Sequence, residues 1–97
     1  MRKEDILKYL KSHKNEFYKK YGIIKIGLFG SYSKDMQKDD SDIDLAIEME
    51  KNKKNLKNFF AFKRELENFF GKKVDLGIES SLKPIVKERI KEEILYV

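Results

Sequence analysis

Ile23-Ile24-Lys25-Ile26-Gly27-Leu28-Phe29-Gly30-Ser31 and, across residues 32–41, Asp42-Ile43-Asp44-Leu45-Ala46-Ile47-Glu48-Met49 are the two stretches that decide the fold. The first is apolar and β-branched over seven residues, as a buried strand requires, and it stops at Gly30-Ser31. In the second, Ile43, Leu45, Ile47 and Met49 alternate with polar or small residues, so a strand running from Asp42 to Met49 has one apolar face and one free face. Residues 32–41 are rich in Lys, Asp and Ser and poor in apolar groups, which predicts a brief helical turn at most and then a loop.

Upstream of the first strand, Ile6, Leu7, Leu10, Phe17, Tyr18 and Tyr21 recur at spacings of three, four and seven, which predicts one helix from Glu4 to Tyr21, ended by Gly22. Downstream of the second, a polar Lys/Asn stretch leads into a helix whose Leu56, Phe59, Phe60, Phe62, Leu66, Phe69 and Phe70 form a broad apolar face before Gly71. These phenylalanines read most simply as core, with a partner-binding stripe as the alternative. Lys73-Val74-Asp75-Leu76-Gly77-Ile78 returns to the two-residue period as a third strand. Pro84 suits the first position of a last helix, expected to run to about Ile94. The order helix, strand, strand, helix, strand, helix predicts an α+β fold (an α/β sandwich), with a small mixed β-sheet and helices packed mainly on one face. The other face or edge of the sheet is then left for chemistry or for a partner.

A chain of 97 residues is expected to form a single domain, residues 1–97, and its seven Phe and five Tyr supply enough apolar surface for one core. With no cysteine, disulfides, thiolate metal sites and cysteine nucleophiles are excluded, so any metal is held by oxygen or by the one histidine. That favours a hard cation. No apolar run approaches the roughly 20 residues of a membrane span, and Met1-Arg2-Lys3-Glu4-Asp5 is no signal peptide, so a cytoplasmic protein without membrane contact is expected. A net charge of +5 favours an anionic partner, but 22 basic residues interleaved with 17 acidic ones read as a solvated surface. Direct nucleic-acid binding is therefore not expected. His13 falls on the lysine-rich side of the first helix with no second histidine near, and reads as a solvated side chain.

Asp42 and Asp44, one residue apart on a strand, project their carboxylates from the same face, about 6–7 Å apart at the backbone. They can share a magnesium ion, which keeps several waters and completes its shell with substrate phosphates. A second ion about 3.5–4 Å away would make a two-metal site of the kind that clamps an in-line displacement. Acidic turns are common at strand starts, so the pair alone is ambiguous. Asp75 adds weight, because a carboxylate in mid-strand between Val74 and Leu76 is costly unless it is paired or metal-bound. Asp40, Asp42 and Asp44 also match the first positions of a calcium loop, but Leu45 stands where that loop needs Gly and Lys51 where it needs Glu. Gly30-Ser31 after a strand gives a phosphate access to backbone N–H groups, and Lys34 could reach the same anion. It is not a Walker loop, since no Gly-Lys-Ser/Thr follows.

Gly30-Ser31-Tyr32-Ser33-Lys34 followed by Asp40-Ser41-Asp42-Ile43-Asp44-Leu45 resembles the signature of the polymerase-beta-type nucleotidyltransferases in their minimal (MNT) branch. The resemblance runs from the first helix to the last and implies the polymerase-beta-like nucleotidyltransferase fold. It implies that Gly30 and Ser31 bind the triphosphate, within reach of Lys34 on the reading above, that Asp42 and Asp44 coordinate metal, and that Asp75 is the third carboxylate, ligating the catalytic metal and helping to activate the attacking hydroxyl. Two magnesium ions and ATP as substrate go with that assignment. Where the family's run reads Gly-Ser-Tyr-Ala-Arg-Gly, this chain has Ser33, Lys34 and Asp35 at the last three positions. A lysine meets phosphate as a point charge, and Asp35 is expected to bring a negative charge near the triphosphate.

The MNT branch resembles the antitoxin half of toxin–antitoxin pairs whose toxin is a HEPN ribonuclease. That implies transfer of AMP from ATP to a hydroxyl, a tyrosine by this resemblance, of a cognate HEPN toxin held in a hetero-oligomer. Two alternatives stay open: an antitoxin that neutralises its partner by contact alone, and nucleotidyl transfer to a small molecule or an RNA end.

Overall fold

The computed structural model describes residues 1–97. Its elements are α1 (Lys3–Ser12), α2 (Lys14–Tyr21), β1 (Ile23–Phe29), a 3-10 turn at Tyr32–Lys34, β2 (Ile43–Met49), α3 (Leu56–Phe70), β3 (Val74–Ile78), α4 (Pro84–Ile90) and β4 (Leu95–Tyr96). The sheet order is β3-β2-β1-β4. β1 lies antiparallel to both β2 and β4, and β2 lies parallel to β3, so the sheet is mixed as expected.

Ile43, Leu45, Ile47 and Met49 of β2 are all buried, with Ile26 and Leu28 of β1 and Val74 and Leu76 of β3 beside them. Against this face lie Ile6 and Leu10 of α1, Phe17 of α2, and Phe62, Leu66 and Phe70 of α3, in one cluster of 16 buried residues. Burying each of these side chains contributes about 1.5–3 kcal/mol, which is why the two-residue and 3.6-residue periods were readable beforehand. The opposite face is lined by Gly27 and Phe29, by Asp44, Ala46 and Glu48, and by Asp75 and Gly77, as their registers require. Its middle row, Gly27–Ala46–Gly77, is small. A Cβ on Gly27 would stand 2.6 Å from Ile94 Cδ1 and 2.9 Å from the Tyr96 ring, so the segment after α4 packs into that row.

Four expectations need correction. The single helix from Glu4 to Tyr21 is two, because the chain leaves helical geometry at His13 (φ −107°, ψ 10°). The His13 N–H and the Ser12 hydroxyl both donate to the Tyr9 carbonyl, and His13 Nδ1 lies 2.9 Å from that same oxygen. Half-buried, with its ring 4.2 Å from that of Tyr9, His13 is a packing residue rather than a solvated one. The last helix ends at Ile90, not Ile94, and a short strand, β4, follows it against β1. The apolar face of α3 is wider than the core: Leu56, Phe60 and Phe69 are exposed by 73%, 47% and 59%. One helix presents only a stripe to a sheet, and seven apolar residues overfill it.

Candidate functional site

The antiparallel pairing of β1 and β2 carries the site. It brings the end of β1 to the start of β2, setting Phe29 opposite Asp44, while the parallel β2–β3 register sets Asp44 beside Asp75. Three predicted features thus meet at one corner of the open face: the Gly30-Ser31 loop, Asp44 with Asp42 just before it, and Asp75. The register is pinned from both sides. Glu67 Oε2 accepts the Val74 N–H at 2.9 Å, one residue before Asp75. The Ile43 N–H donates to the Lys73 carbonyl at 3.0 Å, and the Ser41 hydroxyl accepts the Lys38 N–H at 2.8 Å, closing the turn that precedes Asp42.

Asp44 is half-buried and its carboxyl is pushed up to about 6, first by burial and then by the charges of Asp75 and Asp42, with Glu93 contributing. Carboxylates that crowd one another in this way, with no protein cation among them, are what a divalent cation relieves. No three acidic or histidine side chains are preset as a cage around one point. Magnesium does not need one, since it binds through one or two carboxylates together with water and phosphate. The oxygen donor set therefore fits magnesium.

Gly30 has φ +76°, and a Cβ there would fall on the Asp44 carboxylate, 2.9 Å from its Cγ. Only glycine can bring this backbone so close to the acid pair. The loop is anchored inward by Tyr32, fully buried, and by Ser33, whose hydroxyl donates to the Gly30 carbonyl at 2.7 Å. The Ser31 N–H and hydroxyl donate to no group of the chain. Asp35 has φ +56°, the left-handed geometry that explains the family's glycine at this place and that Asp tolerates better than most residues. Its carboxylate pairs with Lys3 Nζ at 3.1 Å, so the charge expected near the triphosphate is turned towards α1 and neutralised there.

Glu93 went unrecognised. It lies 63 residues from Gly30, yet its Oε2 accepts the Gly30 N–H at 2.6 Å and its Oε1 stands 3.7 Å from Lys34 Nζ. Nothing in Lys91-Glu92-Glu93-Ile94 distinguishes it from a solvated charge, and only the packing of Ile94 on Gly27 places it there. At the far end of the same face, a cleft of about 500 Å³ is bounded by Glu48, Glu79, Lys87, Ile90 and Tyr96. None of Asp42, Asp44 and Asp75 lines it.

Comparison with known proteins agrees with this fold. The Nucleotidyltransferase domain family matches residues 10–97. Protein adenylyltransferase MntA of Thermococcus cleftensis is 37% identical over 94 residues, which cover 97% of this chain and 94% of that protein. A solved structure of a candidate minimal nucleotidyltransferase superposes with a TM-score of 0.80 at 25% identity, covering 98% of this chain and 95% of that one. A toxin–antitoxin structure with AMP-PNP has the same fold, with a TM-score of 0.70 at 20% identity over 89% of this chain and 70% of that one.

Proposed function

This chain belongs to the nucleotidyltransferase domain family, and from that membership we propose that it transfers the AMP group of ATP to a tyrosine hydroxyl of a partner HEPN toxin, acting as the antitoxin. The observation that supports this best is the meeting of Gly30 with Asp44 and Asp75 at one corner of the open sheet face. In this reading the Gly30 and Ser31 N–H groups and Lys34 hold triphosphate oxygens, and Asp42, Asp44 and Asp75 hold magnesium. Bound magnesium supplies charge neutralisation of the triphosphate and of the oxygens exchanging at the α-phosphorus. Asp75, the most exposed of the three, receives the proton of the attacking hydroxyl, which enters in line as pyrophosphate leaves.

The partner supplies what this small domain lacks. Asp75 is exposed at the acid corner, and excluding water from that corner requires a second body that also carries the acceptor. The adenylyltransferase name of the Thermococcus relative supports protein as acceptor, and the toxin–antitoxin neighbour supports a toxin as partner. No helix here is long and apolar enough to cross a membrane, and the proposed reaction takes place in the cytoplasm.

The test is to incubate the chain with ATP, magnesium and the product of the neighbouring reading frame, and to read intact masses. An AMP-sized gain on the partner, absent with Asp42→Asn/Asp44→Asn, is expected. No gain on any chain, with the partner still inhibited, would replace transfer by inhibition through contact.

A further inference from the structure

We propose that Glu93 is a built-in competitor for the phosphate subsite: its carboxylate holds the Gly30 N–H and faces Lys34, and a nucleotide must displace it to reach both groups. This rests on the reading of residues 30–34 as that subsite.

A carboxylate and a phosphate are both oxyanions, and they ask the same of a backbone N–H and an ammonium. Glu93 meets the N–H at 2.6 Å with a side chain only 16% exposed, so it is a seated group and not a passing surface charge. Its backbone is fixed on both sides. The N–H groups of Glu93 and Ile94 donate to the Ile90 carbonyl at 3.0 and 2.9 Å, Ile90 is buried, and Ile94 fills the space over Gly27. Two residues on, β4 pairs with β1.

The seat is electrostatically poor apart from those two donors. Asp42, Asp44 and Asp75 crowd the same corner, so Glu93 adds a fourth negative group that only Gly30 N–H and Lys34 offset. A magnesium-bound triphosphate satisfies the same donors and brings its own cation. Glu93 therefore sets a threshold for entry: weak or uncharged occupants leave it seated, and a metal-loaded polyphosphate does not. The opposite role, metal ligand, makes the opposite prediction, since removing a ligand weakens binding.

Calorimetry with magnesium-ATP and with magnesium and inorganic triphosphate, on wild type, Glu93→Gln and Glu93→Ala, separates the two. Glu93→Gln should bind both probes about five-fold more tightly, Glu93→Ala at least as tightly as Glu93→Gln, and Glu92→Gln, the same charge change on the exposed neighbour, within about two-fold of wild type. Unchanged or weaker binding by Glu93→Gln, with wild type binding normally, overturns the proposal and leaves the subsite reading standing; so does an equal gain in Glu92→Gln. Failure of every protein to bind either probe overturns the subsite reading and the proposal together. In unmutated protein, the carboxyl ¹³C resonance of Glu93 and the Gly30 amide should both move on adding triphosphate and magnesium. A Glu93 resonance that stays in place while the Gly30 amide moves overturns displacement.

Discussion

At the scale of the residue, Asp44 is where charge and burial conflict. Its carboxyl is pushed up to about 6 by burial and by Asp75 and Asp42, whereas in the unfolded chain it titrates in the ordinary carboxylate range. The folded state therefore binds the proton more tightly. Stability from this group is fully present below about pH 4 and is lost as pH rises through about 6. Asp44→Asn should raise the melting temperature of the free protein at pH 7.5 by about 4–8 °C, the effect of about 1 kcal/mol once the shift is discounted for solvent screening. At pH 4 the gain should vanish. Thermal melts at the two values check this, and an equal gain at both would mean that the carboxylates do not repel. Millimolar magnesium should stabilise wild type above pH 6 and leave Asp44→Asn nearly unmoved. Gly30 belongs with Asp44, because Gly30→Ala puts a methyl on the acid's oxygens and a side chain at φ +76°. ATP binding measured by calorimetry should fall at least ten-fold, about 1.4 kcal/mol, in that variant. Both residues stood out in the sequence, but that one excludes any side chain on the other did not.

At the scale of the element, α3 and β3 show how a distant contact sets the position of Asp75, one of the proposed site residues. Glu67, in the last turn of α3, accepts the Val74 N–H and so fixes how β3 starts, and Asp75 follows at the next residue. Glu67→Ala should slow transfer several-fold with little change in ATP affinity, because the Gly30 loop is held separately by Tyr32 and Ser33. Equal losses in both measurements would show that the two halves of the site are not independent. Asn55 is the control on the same helix: its side chain caps α3 by accepting the Asn58 N–H at 2.8 Å. Asn55→Ala should cost about 1 kcal/mol in denaturant unfolding and leave transfer per folded molecule unchanged. Strands β1, β2 and β3 and helix α3 were legible because each has a dominant period. The break at His13 and the two-residue β4 were not, because the first is set by bonds that converge on one carbonyl and the second by a pairing partner about 68 residues earlier in the chain.

At the scale of the whole molecule, the open acid corner and the apolar overhang of α3 lie on one small chain, for which the proposed function places the acceptor on a partner. Leu56, Phe60 and Phe69 remain exposed after the core is filled. Asp42→Asn/Asp44→Asn, co-expressed with the partner, should fold and bind but fail to protect cells, since on the proposed function protection comes from transfer. Full protection, with no AMP on the partner, would make contact alone the mechanism. Periodicity and residue chemistry are local, so the periodic elements and the chemical types of Gly30, Ser31, Lys34, Asp42, Asp44 and Asp75 are legible along the chain. Which groups face one another emerges only on folding: Asp35 turns towards Lys3 and away from the site, and Glu93 onto the Gly30 N–H. Those pairings follow from strand register and from the packing of Ile94 on Gly27, long-range contacts that no local pattern of residues encodes.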